Sequence, residues 1–383
     1  MRILAGDIGG TTTRLALFEG RGVRLRKLAE AVYPSREWPS LDGPVAAFLA
    51  DAGTSCSRAG FGLAGPVQGR VVRITNLPWV VEADALAQRF GFEEVALVND
   101  LEAAAWGIAD VSGDEARVLQ TGRQGAVGNA AVVAAGTGLG VAGMFWDGRR
   151  HHPFACEGGH AGFAPTGGAE LALLRRLEAA HGRVSWERVV SGPGLVAIHD
   201  ALVAGEGGSL AAGEHGAGDA AAAIASAAAA DPGGTAARAV RLFAGLYGAV
   251  AGDVALTMMA AGGIWLGGGI APKMLAVLEE GGFVDRFLAK GRMRPLLEAI
   301  PVRVVLKGDV ALTMMASGGV WLGGGIAPKM LAVLEEGGFV DRFLAKGRMR
   351  PLLEAIPVRV VLKGDVALWG AARCAQRRRS GRA

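Results

Sequence analysis

Residues 2–20 read RILAGDIGGTTTRLALFEG. An apolar run gives way to Gly9, Gly10 and three threonines, then to a second apolar run. The pattern predicts a strand, a tight glycine turn and a second strand. Glycine lets the backbone bend sharply and approach a ligand closely. Successive amides beside the hydroxyls of Thr11 and Thr12 suit phosphate oxygens. Asp7, at the strand end, is a carboxylate able to hold Mg²⁺, directly or through water. An ordinary glycine-rich hairpin fits the same residues. No Gly-Lys-Ser or Gly-Lys-Thr follows, so the stretch is not a P-loop.

The alternation continues through the first 150 residues, and short apolar runs interleaved with helical patterns predict an α/β fold. PVAAFLADAG and EADALAQRFG read as helices, GFGLAGPV and RVVRIT as paired strands, and EVALVND as a strand with a polar end. AAVVAAGTG reads as a buried strand running into a second glycine turn, Gly136-Thr137-Gly138. Gly138, Gly140 and Gly143 also match GxGxxG, with Glu157 near the acidic position of a dinucleotide fold. That motif needs a helix after the glycines, whereas MFWDGRRHHPF reads as strand, turn, strand.

Asn99-Asp100 closes a strand, the end at which α/β folds place ligand-binding residues. Asp100 there suits the proton acceptor for an attacking hydroxyl, but taken alone the motif favours a cap of a helix over 101–108. Glu157-Gly158-Gly159-His160 sets an acceptor and a donor/acceptor beside open backbone, as a polyhydroxylated ligand requires. His151, His152, Cys156 and His160 invite a metal reading, but no CxC or CxxC completes a thiolate set, which predicts no zinc. Glu187 lies early in a helical pattern opened by Ser185. Asp219 and Thr235 read as caps of an alanine-rich helix and of a long helix over 235–261.

The 383 residues suffice for two domains. Charged residues interrupt every apolar run, which predicts no bilayer-spanning segment. The opening MRILAGDIGG has no secretory h-region. Cys56, Cys156 and Cys374, odd in number and scattered, predict a reduced, cytoplasmic setting. The net charge of +4 is matched by Arg377, Arg378, Arg379 and Arg382, a solvated tail rather than a nucleic-acid surface.

The C-terminal half repeats itself. Residues 252–307 and 308–363 differ only at Ala261 against Ser317 and Ile264 against Val320. Each copy reads as a helix end, the strand GIWLGGGI or GVWLGGGI, the helix PKMLAVLEEGGFVDRFLA and the strand IPVRVVL. Two copies are too few for a solenoid and indicate a tandem duplication within an α/β domain.

The stretches GDIGGTTTRLALF, GLAGPVQGRVVRITNLPW, ALVNDLEAAAWGI, AAGTGLGVA, EGGHAGFAP, RVSWERVVSGPGL and GGIWLGGGIAP, in this order, resemble the bacterial glucokinase family. These zinc-free enzymes belong to the actin-like sugar kinase superfamily. The resemblance spans nearly the whole chain except the extra 56 residues. It implies a two-domain α/β fold of the actin-like, ribonuclease H-like type, with a cleft between the domains. The small domain would cover 1–110 and be completed by a closing helix at about 364–376. The large domain would cover 111–307, followed by the duplicate at 308–363 and a basic tail at 377–383. The implied activity is ATP-dependent phosphorylation of D-glucose at its 6-hydroxyl. Asp100 would be the catalytic base, with Asn99, Glu157, His160 and Glu187 on the sugar. Asp7 would lie near Mg²⁺, Gly9, Gly10, Thr11, Thr12, Gly136, Thr137 and Gly138 around the phosphates, and Gly267, Gly268 and Gly269, or Gly323–Gly325, against the adenosine.

A long helix leads into copy one, whereas Pro295 and Pro301 forbid a comparable helix before copy two. Copy one is therefore expected to build the nucleotide site, leaving 318–363 as surplus. The reverse assignment is the alternative. Rival functions are a kinase for another hexose or with polyphosphate as donor, a sugar-binding protein disabled by the duplication, and a sugar-responsive repressor. The last needs a DNA-binding helix pair ahead of the strand at Arg2. A homodimer is the expected assembly, since soluble enzymes commonly pair.

Overall fold

The computed structural model describes residues 2–21, 24–63, 67–74, 77–99, 103, 116–205, 217–306, 320–322, 344–345 and 358–360. By its internal contacts the chain separates into two units, Met1–Met315 and Ala316–Ala383.

Within the first unit, a five-stranded sheet is built from β1 (Arg2–Ile8), β2 (Thr12–Arg21), β3 (Arg24–Pro34), β4 (Arg58–Leu63) and β8 (Glu94–Asn99). Its order is β3-β2-β1-β4-β8. β1, β4 and β8 run parallel, while β2 and β3 fold back antiparallel. Between β4 and β8 lie β5 (Val67–Gln68), β6 (Val71–Arg73) and β7 (Val80–Glu82), a small antiparallel sheet. β6 thus pairs with β5 and β7: of the stretch GFGLAGPV, Val67 meets Val72 as expected, whereas its GFGL part belongs to β4, which pairs with β1 and β8. Leu4, Ile8, Leu15 and Phe61 are fully buried, with Val45 and Phe48 of the helix Asp42–Asp51 and Leu86 of the helix Ala83–Phe90 in the same core.

A second sheet uses β9 (Ala116–Gln120), β10 (Ala130–Ala135), β11 (Leu139–Trp146), β12 (His151–Cys156), β13 (Gly263–Gly267) and β14 (Val302–Val305), in the order β12-β11-β10-β13-β14-β9. Its first five strands repeat the path of the first sheet. A strand and an antiparallel hairpin pair are followed by two further strands parallel to the first. β9 adds an antiparallel edge. Every residue of β10 is buried. Ala131, Val133 and Ala135 join the main core on one side, and Ala130, Val132 and Ala134 pack with Ala142 and Met144 on the other. A strand covered on both faces reads as a continuous apolar run, as AAVVAA does.

The helix Thr235–Thr257 underlies this sheet. By length and composition it could cross a bilayer, contrary to the sequence expectation, but 78% of its apolar window is buried within the protein. Its glycines admit a close neighbour. A Cβ on Gly248 would lie 2.0 Å from the carbonyl oxygen of Phe283, on the helix Gly282–Leu288. Thr235 is the first helical residue and Gly234 takes the cap position. Asp219 likewise falls inside the helix Ala217–Ala230 rather than capping it. The single helix expected from PKMLAVLEEGGFVDRFLA is three short ones, Ile270–Lys273, Leu275–Glu279 and Gly282–Leu288. Gly281, at a φ of 99°, breaks the last two apart.

In the second unit, β15 (Val320–Leu322) and β16 (Val358–Val360) pair in parallel.

Candidate active site

In the first sheet, Ile8, Leu63 and Asn99 stand side by side at the carboxyl ends of the three parallel strands. Asp7 is therefore one residue from the edge at which β8 finishes. The turn after β1 is held from within and without. The Gly9 amide donates to the Thr12 carbonyl at 2.9 Å, the Ser35 amide donates to the Thr11 carbonyl at 2.9 Å, and the Ser35 hydroxyl donates to the Gly9 carbonyl at 2.9 Å. These bonds leave the side chains of Thr11 and Thr12 exposed and Asp7 half-buried. Asp100 lies outside the described residues, as do all of 101–108 but Ala103.

The second sheet carries its glycine turn at the equivalent place, between its central strand β10 and the hairpin strand β11. The Gly136 amide donates to the Gly138 carbonyl at 2.9 Å, and the Gly136 carbonyl accepts the Gly192 amide at 2.8 Å. Gly192 opens the helix Gly192–Gly205. β13 runs parallel beside β10 and delivers Gly267, Gly268 and Gly269 to the same edge. Gly268 has a φ of 77°, and a Cβ there would lie 2.3 Å from the carbonyl oxygen of Ala135. Only glycine allows the two turns to meet this closely. Beneath them the buried Tyr247 hydroxyl donates to the Val133 carbonyl at 2.8 Å, and burial raises its phenol well above the ordinary range.

Glu157, His160 and Glu187 converge. His160 Nε2 is 3.9 Å from Glu157 Oε2, and His160 Nδ1 is 3.9 Å from Glu187 Oε1. The imidazole is thus bracketed by a carboxylate at each ring nitrogen. His160 sits in a 3₁₀ turn, Gly158–His160, packed under β11. A Cβ on Gly159 would fall 1.8 Å from the Leu139 carbonyl oxygen, so only glycine admits this packing. Glu187 sits in the turn Trp186–Arg188, where Ser185 takes the cap position without a side-chain cap bond. The Trp186 amide donates to the Ala161 carbonyl at 3.0 Å, and the Trp186 ring packs on Phe163.

Three supporting groups escaped the sequence reading. Arg183 donates to the His160 carbonyl at 2.6 Å, Ser191 donates its hydroxyl to the Glu187 carbonyl at 2.7 Å, and Ser35 ties the first turn. Arg183 and Ser191 showed only as members of RVSWERVVSGPGL and Ser35 carried no signal, since a hydroxyl or guanidinium gives no local pattern when its partner is a distant carbonyl.

The other residues of the tempting His/Cys set serve the β11–β12 hairpin. His151 bonds the Gly128 carbonyl at 2.9 Å and His152 the Asp147 carboxylate at 2.6 Å. Amide bonds from Arg150 and Arg149 and the His152 contact hold the Asp147 carboxyl well below the usual range. Burial pushes the Cys156 thiol up to about 11, and it donates to the Val141 carbonyl.

Comparison with known proteins identifies the family and the fold. The family model described as Glucokinase matches residues 4–308 and 306–378, two stretches that meet where the repeat copies join. A glucokinase of Trichormus variabilis is 39% identical over 329 residues, which is 81% of this chain and 96% of that protein. The crystal structure of a glucokinase from an Antarctic psychrotroph superposes with a TM-score of 0.72 at 30% identity, covering 81% of this chain and 96% of its own. A ROK family glucokinase from Streptomyces griseus, solved with glucose and AMPPNP, shares the fold with a TM-score of 0.52 at 24% identity, over 81% and 96%. The chain belongs to the glucokinase family and has its actin-like α/β fold.

Proposed function

We propose that this glucokinase transfers the terminal phosphoryl group of ATP to the 6-hydroxyl of D-glucose, with Asp100 as general base. One observation carries the reading. Glu157, His160 and Glu187 form a polar cluster whose last member accepts the Leu139 amide, next to the glycine turn 136–138. A sugar held at this cluster and phosphates held at the turn would be neighbours, as phosphoryl transfer requires.

Asn99, Glu157, His160 and Glu187 hold the sugar hydroxyls. Half-buried polar partners such as Glu157, His160 and Glu187 favour discrimination, because a missing hydroxyl strands its partner. Asp100 orients the 6-hydroxyl and accepts its proton as the oxygen attacks phosphorus. The turns Gly9–Thr12 and Gly136–Gly138 lie around the phosphates, and Gly267–Gly269 of copy one lies against the adenosine. Asp7 is a half-buried carboxylate at a strand end, and hard oxygens of this kind fit Mg²⁺. Mg²⁺, when bound, neutralises phosphate charge.

The test is an ATP-coupled glucose assay on the wild type and on Asp100→Asn. Retained glucose binding with turnover lowered about 10²–10⁴-fold is expected. Undiminished turnover in the variant would reject Asp100 as base. A parallel screen of hexoses, with ATP or polyphosphate, fixes the substrate pair.

A further inference from the structure

The two oxygens of Glu187 face different ways. Oε1 lies 3.9 Å from His160 Nδ1, on the sugar side. Oε2 accepts the backbone amide of Leu139 at 3.2 Å, at the end of the glycine turn assigned to the phosphates. The same oxygen lies 2.5 Å from where a Cβ on Gly138 would stand. The missing side chain at Gly138 is what lets the carboxylate settle over the turn. The Glu187 backbone is anchored by Ser191 through its carbonyl. Changes in carboxylate position therefore fall on the side-chain torsions.

A carboxylate on that amide opposes a nucleotide in two ways. It takes a main-chain donor of the type phosphate oxygens need, and it places negative charge beside the incoming phosphates. A sugar hydroxyl that engages Glu187 competes with Leu139 for the same carboxylate.

We propose that Glu187 is a positioning residue that couples the two substrates. Without sugar its carboxylate covers the Gly138–Leu139 peptide and weakens nucleotide binding. Hexose hydroxyls draw it toward His160 and free the turn for the donor phosphates. The proposal rests on the reading of Glu187 as a sugar contact. By linkage, the factor by which glucose tightens the nucleotide equals the factor by which the nucleotide tightens glucose.

Calorimetric titration with the β,γ-imido analogue of ATP, with and without saturating glucose, tests this on the full chain. In the wild type, glucose should tighten analogue binding about tenfold, within the usual range of site–site coupling. In Glu187→Gln, analogue affinity without glucose should rise about tenfold, because the charge is gone, and the effect of glucose should fall to about onefold. A purely structural role predicts the opposite, weaker analogue binding with the glucose effect unchanged. Wild-type analogue affinity indifferent to glucose overturns the proposal even if the variant does not fold. So does sugar-free analogue affinity in Glu187→Gln equal to that of the wild type. A separate readout, glucose affinity alone, tests the underlying reading: no change in Glu187→Gln removes Glu187 from the sugar site.

Discussion

The two repeat copies are nearly the same peptide in two settings. Copy one pairs Ile264 with Val302, Trp265 with Arg303 and Leu266 with Val304. Copy two pairs Val320 with Val358, Trp321 with Arg359 and Leu322 with Val360, the identical register 56 residues on. The pairing inside a copy is therefore written into the copy itself. What differs is company. β13 has β10 on its other side, and β14 has β9. Among the described residues, β15 and β16 pair only with each other. Copy one also continues a helix, Thr235–Thr257, whose first seventeen residues, 235–251, precede the repeat. That covalent lead delivers β13 to β10, whereas β14 stands ahead of copy two.

Matched substitutions in the two copies sharpen the comparison. The largest effect is expected from Gly268→Ala against Gly324→Ala. In copy one the new methyl meets the Ala135 carbonyl at a left-handed residue, costing roughly 3 kcal/mol or more and most of the activity. Its copy-two counterpart should leave turnover and thermal midpoint at wild-type values. Equal losses from both, or from Gly324→Ala alone, would break the assignment of copy one to the nucleotide site.

Next comes Arg286→Ala against Arg342→Ala. Arg286 meets the Glu170 carboxylate at 2.7 Å, where Glu170 is buried. Removing the cation leaves that carboxylate its Thr166 hydrogen bonds but takes away its counter-charge, a loss of about 3 kcal/mol by chemical denaturation. Arg342→Ala is expected to lie within about 0.5 kcal/mol of wild type.

Deletions separate the copies least cleanly. Removing 308–363 or 252–307 yields chains of equal length that differ only by Ala261 against Ser317 and Ile264 against Val320. Both should be active. Ile264 is fully buried, so the chain retaining copy two should be about 1 kcal/mol less stable. A dead product from either deletion would mean that the duplicate supplies something the single-copy chain lacks. The smallest contrast is Arg303→Ala against Arg359→Ala. The Arg303 guanidinium lies 5.0 Å from the Trp265 ring centre, a cation–π contact of about 0.5–1 kcal/mol. A shift of that size in copy one alone is expected in a thermal melt.

Much of the candidate site was legible in the sequence. The turns at Gly9 and Gly136 lie between adjacent strands, and a glycine turn flanked by apolar runs is a local pattern. The paired strands β3 and β9 were not anticipated. RLRKLAEAVYP carries mixed charges, and ARVLQ is a five-residue edge strand whose partner β14 lies about 180 residues further on. The helix caps failed for a related reason. Asp219 and Thr235 are good capping residues, yet each lies within a helix that starts earlier than its side chain alone suggests.

The sequence by itself determined the chemistry on offer, the α/β alternation, the glycine turns and the pairing of strands within each repeat copy, because these depend on neighbours close in the chain. Only the tertiary structure decided that Glu157 and Glu187 flank one imidazole, that a carboxylate rests on the Leu139 amide, and that copy one fills the place between β10 and β9. Two almost identical segments carry almost identical local preferences. What tells them apart is where the chain is already anchored when each arrives, and that is a property of long-range contacts.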